Sequence, residues 1–256
     1  MLVNPSFADR LRGGSPALAA WCGLPEPAVP ALLAREAFDA VVLDTQHGAI
    51  DFAAALRAVP LVAAAGKPAV VRIPVGDFAT ASRFLDAGAS GVIAPMINTI
   101  EDAQRFARFM KFPPVGERSW GPHGALALSG LQPATYFEAA NSLSVAFAMV
   151  ETRESLVIID EILAVPGIDG IFIGPSDLSI ALSAGRDMNP ASAEVEKALD
   201  HALARTRAAG KLAAIYAASG ERAAELARRG FHMVSIASDT ALLRAGAQMA
   251  LKAARA

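Results

Sequence analysis

Two carboxylates in this sequence stand directly behind apolar runs of strand type. Glu151 follows Val145-Ala146-Phe147-Ala148-Met149-Val150, and Asp177 follows Ile171-Phe172-Ile173-Gly174-Pro175-Ser176. If the two runs are parallel strands of one sheet, both acids emerge at the same edge. Carboxylates converging at a dry sheet edge repel each other unless a cation lies between them. A divalent metal is the simplest such cation, and hard carboxylate oxygens suit magnesium or manganese. Two other apolar runs end in functional groups. One leads into Asp44-Thr45-Gln46-His47-Gly48, and the other holds Arg72 within Val70-Val71-Arg72-Ile73-Pro74. An acid pair for a metal, a cation for an oxyanion and an imidazole for proton transfer form the minimum set for making and quenching an enolate.

Each of these groups also has a purely structural explanation. Glu151 could pair with Arg72 inside the rim, and Asp177 could cap the helix that follows it. That explanation must account for both acids at one edge. Arg72 sits in a buried strand and needs a partner, which an internal acid or a bound carboxylate would supply equally well. His47 taken alone is an ordinary loop histidine, and Asp86, in Phe84-Leu85-Asp86-Ala87-Gly88, is a solvated helix-end residue. His123, His201 and His232 read as structural or surface groups. The lysines (Lys67, Lys111, Lys197, Lys211 and Lys252) fall in helices or at strand starts, never at a strand's C-terminal end. A Schiff-base mechanism needs a desolvated lysine at that end, so carbonyl chemistry here points to a metal.

The elements that must position these groups recur along the chain. Eight apolar β-type runs alternate with helical segments: Ala17–Trp21, Ala40–Thr45, Ala69–Pro74, Gly91–Met96, Val145–Glu151, Gly170–Gly174, Leu212–Tyr216 and Met233–Ala237. Most are continuously apolar, as strands covered on both faces are. Gly66, Gly88, Gly167, Gly210 and Gly230 precede strands and read as helix terminators. Between Thr99 and Met110, Ala103, Phe106, Ala107 and Met110 form one apolar stripe, with Thr99 as N-cap and Asp102 three residues on. Eight alternations predict a (β/α)8 TIM barrel as one domain over residues 1–256, whose active site lies at the C-terminal ends of the strands. An open doubly wound sheet is the alternative, but its glycine-rich first turn is missing. From Phe112 to Asn141 the alternation breaks; Pro113, Pro114, Gly116, Gly121, Pro122, Gly124 and Gly130 fall there, and a connection this long is usually functional or part of an interface.

Composition narrows the classes. With 54% hydrophobic residues among 256, the chain can bury a large core. A net charge of −2 without a basic stripe gives no nucleic-acid footprint. No apolar run approaches the roughly 18–20 residues that span a bilayer, and no secretory leader is legible. The single cysteine, Cys22, excludes an internal disulfide and a cysteine-based zinc cluster. A soluble, cytoplasmic protein that acts on small molecules is expected.

Asp44-x-x-His47, Val71-Arg72, Leu85-Asp86-x-Gly88, Pro113-Pro114-x-Gly116-x-Arg118, Glu151-Thr152-Arg153-Glu154 and Phe172 to Ser179 form an ordered set. The set resembles the class II pyruvate-dependent aldolases, of the 4-hydroxy-2-oxoheptanedioate and 2-dehydro-3-deoxyglucarate aldolase type, from Trp21 to the C-terminus. The resemblance implies a barrel whose final helix is exchanged between subunits of a hexamer or trimer of dimers. It implies Glu151 and Asp177 as ligands to Mg2+, Mn2+ or Co2+, with the metal chelating the carboxylate and keto oxygens of a 2-oxo acid. It also implies Arg72 on the enolate oxygen, and backbone N–H groups around Ser176 on the substrate carboxylate. His47 would be the acid–base, its basicity raised by Asp86 across a subunit interface. Asp44 belongs to the same catalytic set, and Trp21, Met149 and Gly174 stand at substrate-contacting positions. Aldol cleavage of 4-hydroxy-2-oxo acids to pyruvate or hydroxypyruvate and an aldehyde follows. Many members carry Gly-Glu-His where this chain has Thr45-Gln46-His47, and a glutamine where it has Met149. Two other readings share these residues. One is a carbon–carbon lyase acting on an acyl-CoA thioester, with Arg118 in a loop suited to CoA phosphates. The other is a non-catalytic 2-oxo acid binding protein.

Overall fold

A computed structural model describes residues 6–256. Its strands are β1 (Ala17–Cys22), β2 (Ala40–Asp44), β3 (Ala69–Arg72), β4 (Gly91–Ala94), β5 (Val145–Met149), β6 (Gly170–Ile173), β7 (Leu212–Ala217) and β8 (Met233–Ser238). They close in chain order into one parallel barrel, β8 returning to β1 with Ala17 beside Met233. Every run expected from the sequence is a strand. β5 stops at Met149, short of its expected end, so Glu151 stands in the barrel mouth rather than on the strand itself.

The helices are α1 (Phe7–Arg12), α2 (Ala28–Leu33), α3 (Phe52–Ala64), α4 (Phe78–Asp86), α5 (Ile100–Met110), α6 (His123–Ser129) and α7 (Pro133–Leu143) in the first part of the chain. They continue as α8 (Arg153–Val157), α9 (Ile159–Ala164), α10 (Pro175–Leu182), α11 (Ala193–Ala208), α12 (Gly220–Arg229) and α13 (Asp239–Ala254). α5 buries the stripe expected of it, and the Thr99 hydroxyl accepts the Asp102 N–H at 3.1 Å. Gly230 ends α12 at φ 109°, a conformation that a side chain would strain. The segment that broke the alternation holds α6 and α7 and no strand.

Inside the barrel one apolar cluster runs from Trp21, Met149 and Phe172 at the C-terminal rim through Val42, Ile93 and Phe147 to Leu212 and Met233. Phe7, Ala8 and Leu11 of α1 join this cluster and plug the N-terminal end. On the same face Lys111 is buried and donates to the carbonyls of Asn141 and Ser144 and, at 2.7 Å, to Asp169. The buried lysine thus ties the feet of β5 and β6 together, at the end opposite the rim. The last helix behaves differently from the others. Beyond Asp239 none of its residues is buried, and Leu243, Met249 and Leu251 are 67%, 73% and 52% exposed. Among the described residues no helix is long and apolar enough to cross a membrane.

The plug yields a stability test. Leu11 is fully buried, so Leu11→Ala should cost about 2–4 kcal/mol in urea unfolding. An unchanged midpoint would mean that α1 merely rests on the barrel.

Candidate active site

The C-terminal rim is organised around one carboxylate. Asp44 ends β2 and Arg72 ends β3, and the two are direct partners in the parallel register. The guanidinium grips the carboxylate side-on, Nε to Oδ1 at 2.9 Å and Nη2 to Oδ2 at 2.6 Å, with both residues buried. The buried charge of Arg72 is therefore met by Asp44, and not by Glu151, the partner considered from the sequence. Asp44 also accepts the indole N–H of Trp21 at 3.3 Å and the backbone N–H groups of Gln46 and His47 at 3.1 and 3.2 Å. Burial opposes the ionised form of Asp44, but the Arg72 hydrogen bonds and charge, with the two backbone donors, outweigh it and hold the carboxyl below its usual range. This clamp leaves Nη1 and one Nη2 hydrogen of Arg72 for a ligand.

Glu151 is treated the opposite way. It is 2% exposed, and Oε1 accepts the Met96 N–H at 2.8 Å. Met96 holds φ 54°, a left-handed backbone at a non-glycine residue, which aims that N–H at the acid. Desolvation by burial pushes the Glu151 carboxyl up to about 7; the charge of Asp177 adds to the shift, while the Met96 N–H and Arg72 oppose it. Gly174 supplies the room, since a Cβ there would lie 2.5 Å from Oε2 of Glu151 and 3.0 Å from the Met149 methyl. Asp177 is exposed in the first turn of α10, which has no side-chain cap at Gly174. The capping role considered for it is therefore not the one it plays. A buried acid raised to about 7 beside a second acid fits a hard divalent cation, whose charge would remove both penalties. The described residues gather no third His, Cys, Asp or Glu at the pair.

The remaining expected residues divide between this rim and the outer surface. His47 lies in the loop after β2, its backbone held by Asp44. The Gln46 Oε1 beside it is buried without a partner. Trp21 lies with the Arg72 guanidinium 4.8 Å from its ring centroid and touches Phe172 at 5.7 Å. Met149 is buried beside Gly174, and Ser176 is exposed at the start of α10. Asp86 is not at this rim. It ends α4 and accepts from Arg118 at 2.7 Å, in a groove lined by Phe52, Arg83, Gly121 and His123. Arg118 has a side chain 1% exposed and lies 4.5 Å over Phe112, so it is not free for CoA phosphates. One rim residue escaped the sequence reading. Tyr216, half-buried near the end of β7, packs edge-on against Trp21 at 5.5 Å. Burial pushes its phenol up while Arg72 opposes the shift. Its signal was its place, the last aromatic of a strand read only as core.

Comparison with known proteins bears on this geometry. The family described as HpcH/HpaI aldolase/citrate lyase matches residues 18–245. A hydroxypyruvate/pyruvate aldolase of Rhizorhabdus wittichii is 42% identical over 243 residues, covering 95% of this chain and 96% of that protein. A 4-hydroxy-2-oxo-heptane-1,7-dioate aldolase of Klebsiella pneumoniae is 33% identical, covering 96% and 92%. The crystal structure of a HpcH/HpaI aldolase/citrate lyase family protein from Burkholderia cenocepacia superposes with a TM-score of 0.87 at 28% identity, covering 97% of this chain and 98% of that one.

The raised Glu151 predicts a pH effect in the metal-free protein. Folded, the carboxyl keeps its proton to about pH 7; unfolded, it loses it near the ordinary 4.5. Between those values the native state holds more protons than the unfolded one, so stability falls as pH rises. The contribution should be roughly 2–4 kcal/mol by pH 8, and Glu151→Gln should remove it. Urea unfolding in EDTA from pH 4.5 to 8 measures the slope, and a slope that survives the substitution would assign the titration to another group.

Proposed function

The chain belongs to the HpcH/HpaI aldolase/citrate lyase family, and on that premise we propose that it is a divalent-metal-dependent aldolase. It cleaves a 4-hydroxy-2-oxo acid reversibly to pyruvate or hydroxypyruvate and an aldehyde, as the names of its relatives indicate. The observation that carries the metal dependence is Glu151, a buried acid pushed to about 7 beside Asp177. A divalent metal held by Glu151 and Asp177 would supply the Lewis acid that polarises the 2-oxo group.

The chain's own residues do the rest. The N–H groups of Ser176 and Asp177, in the first turn of α10, bind the substrate carboxylate, where the helix end favours negative charge. Trp21 and Met149 bound the donor pocket. The free N–H groups of Arg72 meet the oxygen on which negative charge develops. Asp44 has already oriented the guanidinium, so this stabilisation costs little reorganisation. His47 takes the proton of the C4 hydroxyl. The C3–C4 bonding pair stays on C3, the aldehyde leaves, and the enolate is then protonated at C3. Hydroxypyruvate as a donor is supported by the similarity to the Rhizorhabdus wittichii enzyme.

Asp86 has no hydrogen bond to His47 within its own chain and sits at the outer end of α4. We assign it to the His47 of a neighbouring subunit, whose basicity its carboxylate raises. The exposed Leu243, Met249 and Leu251 support seating α13 on a neighbour, in a hexamer or trimer of dimers. Sedimentation of the wild type should therefore give an oligomer, and Leu243→Asp with Met249→Asp should dissociate it and lower kcat. A fully active wild-type monomer would overturn both assignments.

The reaction is tested by proton exchange at the pyruvate methyl group in D2O, followed by NMR. Exchange should be absent in EDTA and appear with Mn2+ or Mg2+, and Glu151→Gln or Asp177→Asn should abolish it together with metal binding. Arg72→Ala should lower kcat for aldol cleavage by roughly 10²–10³-fold. Exchange that persists after the metal is removed would sink the metal assignment.

A further inference from the structure

We propose that Asp239 is a positioning residue for His47, acting through the backbone of Gly23 and Gly48. Asp239 is the first residue of α13 and is 3% exposed. Its Oδ2 accepts the N–H groups of both Gly23 and Leu24 at 2.9 Å, and its Oδ1 accepts the Thr240 N–H at 2.8 Å. No cation pairs with it among the described residues. The buried carboxylate thus rests on three backbone donors, which its oxygens hold in a fixed geometry.

Those donors lie under the loop that carries His47. The Gly23 carbonyl accepts the Ala49 N–H at 2.8 Å. Gly48 packs so closely that a Cβ on it would lie 2.8 Å from the Gly23 Cα and collide with the Asp44 carbonyl. His47 is thus held from two sides. Asp44 takes its backbone N–H in front, and the Gly48–Ala49 segment behind it rests on Gly23, which Asp239 holds still.

The inference rests on His47 as the acid–base of the proposed reaction, and the test separates the two. Asp239→Ala, Asp239→Asn and His47→Ala are compared as full-length enzymes with Mn2+. Asp239→Ala should lower kcat for aldol cleavage by about 10–100-fold, since a displacement of about 1 Å is enough for such a loss. Its Mn2+ affinity and its KM for the 2-oxo acid should stay near wild type, because the proposed metal and carboxylate sites lie beyond the end of β5 and on α10. Asp239→Asn keeps an oxygen facing the two N–H groups and should recover most of kcat. A purely structural Asp239 would lower the melting temperature and leave kcat alone, and that outcome, with His47→Ala inactive, overturns this inference while leaving the aldolase reading intact. Loss of Mn2+ affinity in Asp239→Ala also overturns it, by showing a general collapse of the rim. A fully active His47→Ala removes the acid–base role and this inference with it. Should Asp239→Ala fail to fold, Asp239→Val fills the space but removes the acceptors; a kcat loss with intact Mn2+ binding supports the proposal, and an unchanged kcat overturns it.

Discussion

The side-on pair between Asp44 and Arg72 is the interaction on which the rest of the rim depends. Two buried charges repay their desolvation only when geometry is good and the spare lone pairs are used, and here they are. Asp44 accepts from the guanidinium, from Trp21 on β1 and from the backbone of the Gln46–His47 loop. One carboxylate therefore sets the relative positions of three strands and the loop that carries the imidazole. Breaking it would strand Arg72 in a buried strand, a loss of about 3–5 kcal/mol in comparable cases.

The neighbouring acid shows the opposite use of the same physics. Asp44 is given donors until its ionised form prevails, while Glu151 is buried with one backbone donor and a second acid nearby and is driven up to about 7. The close approach at Gly174 serves that state, while the left-handed backbone at Met96 supplies the one backbone donor that opposes it. At the other end of the barrel Lys111 has three acceptors and α1 fills the opening. The barrel thus keeps its electrostatic tension at one rim and its stability at the other, as its architecture favours.

The final helix joins these themes. It packs on little of its own barrel, yet its first residue, Asp239, is anchored under the β1 loop. The order of the site is in this way connected to the helix whose apolar residues lie most exposed.

Much of this was legible in the residues themselves. The eight strands could be read because parallel strands covered on both faces are continuously apolar, and the glycines between them marked where helices stop. The acids at 151 and 177 stood out because a charge placed directly behind such a run has few ordinary uses. The sequence alone thus determined the barrel and the types of group gathered at one of its rims, since both follow from periodicity and local order along the chain. Tertiary structure alone decided how those groups share their charges. The pairing of Arg72 with Asp44 rather than Glu151 depends on cross-strand register, which periodicity does not encode. The presence of Tyr216 at the rim, the burial of Arg118 against Asp86, the hold of Asp239 on Gly23 and the plug formed by Leu11 join residues far apart in the chain. Such contacts exist only once the barrel closes and desolvates them.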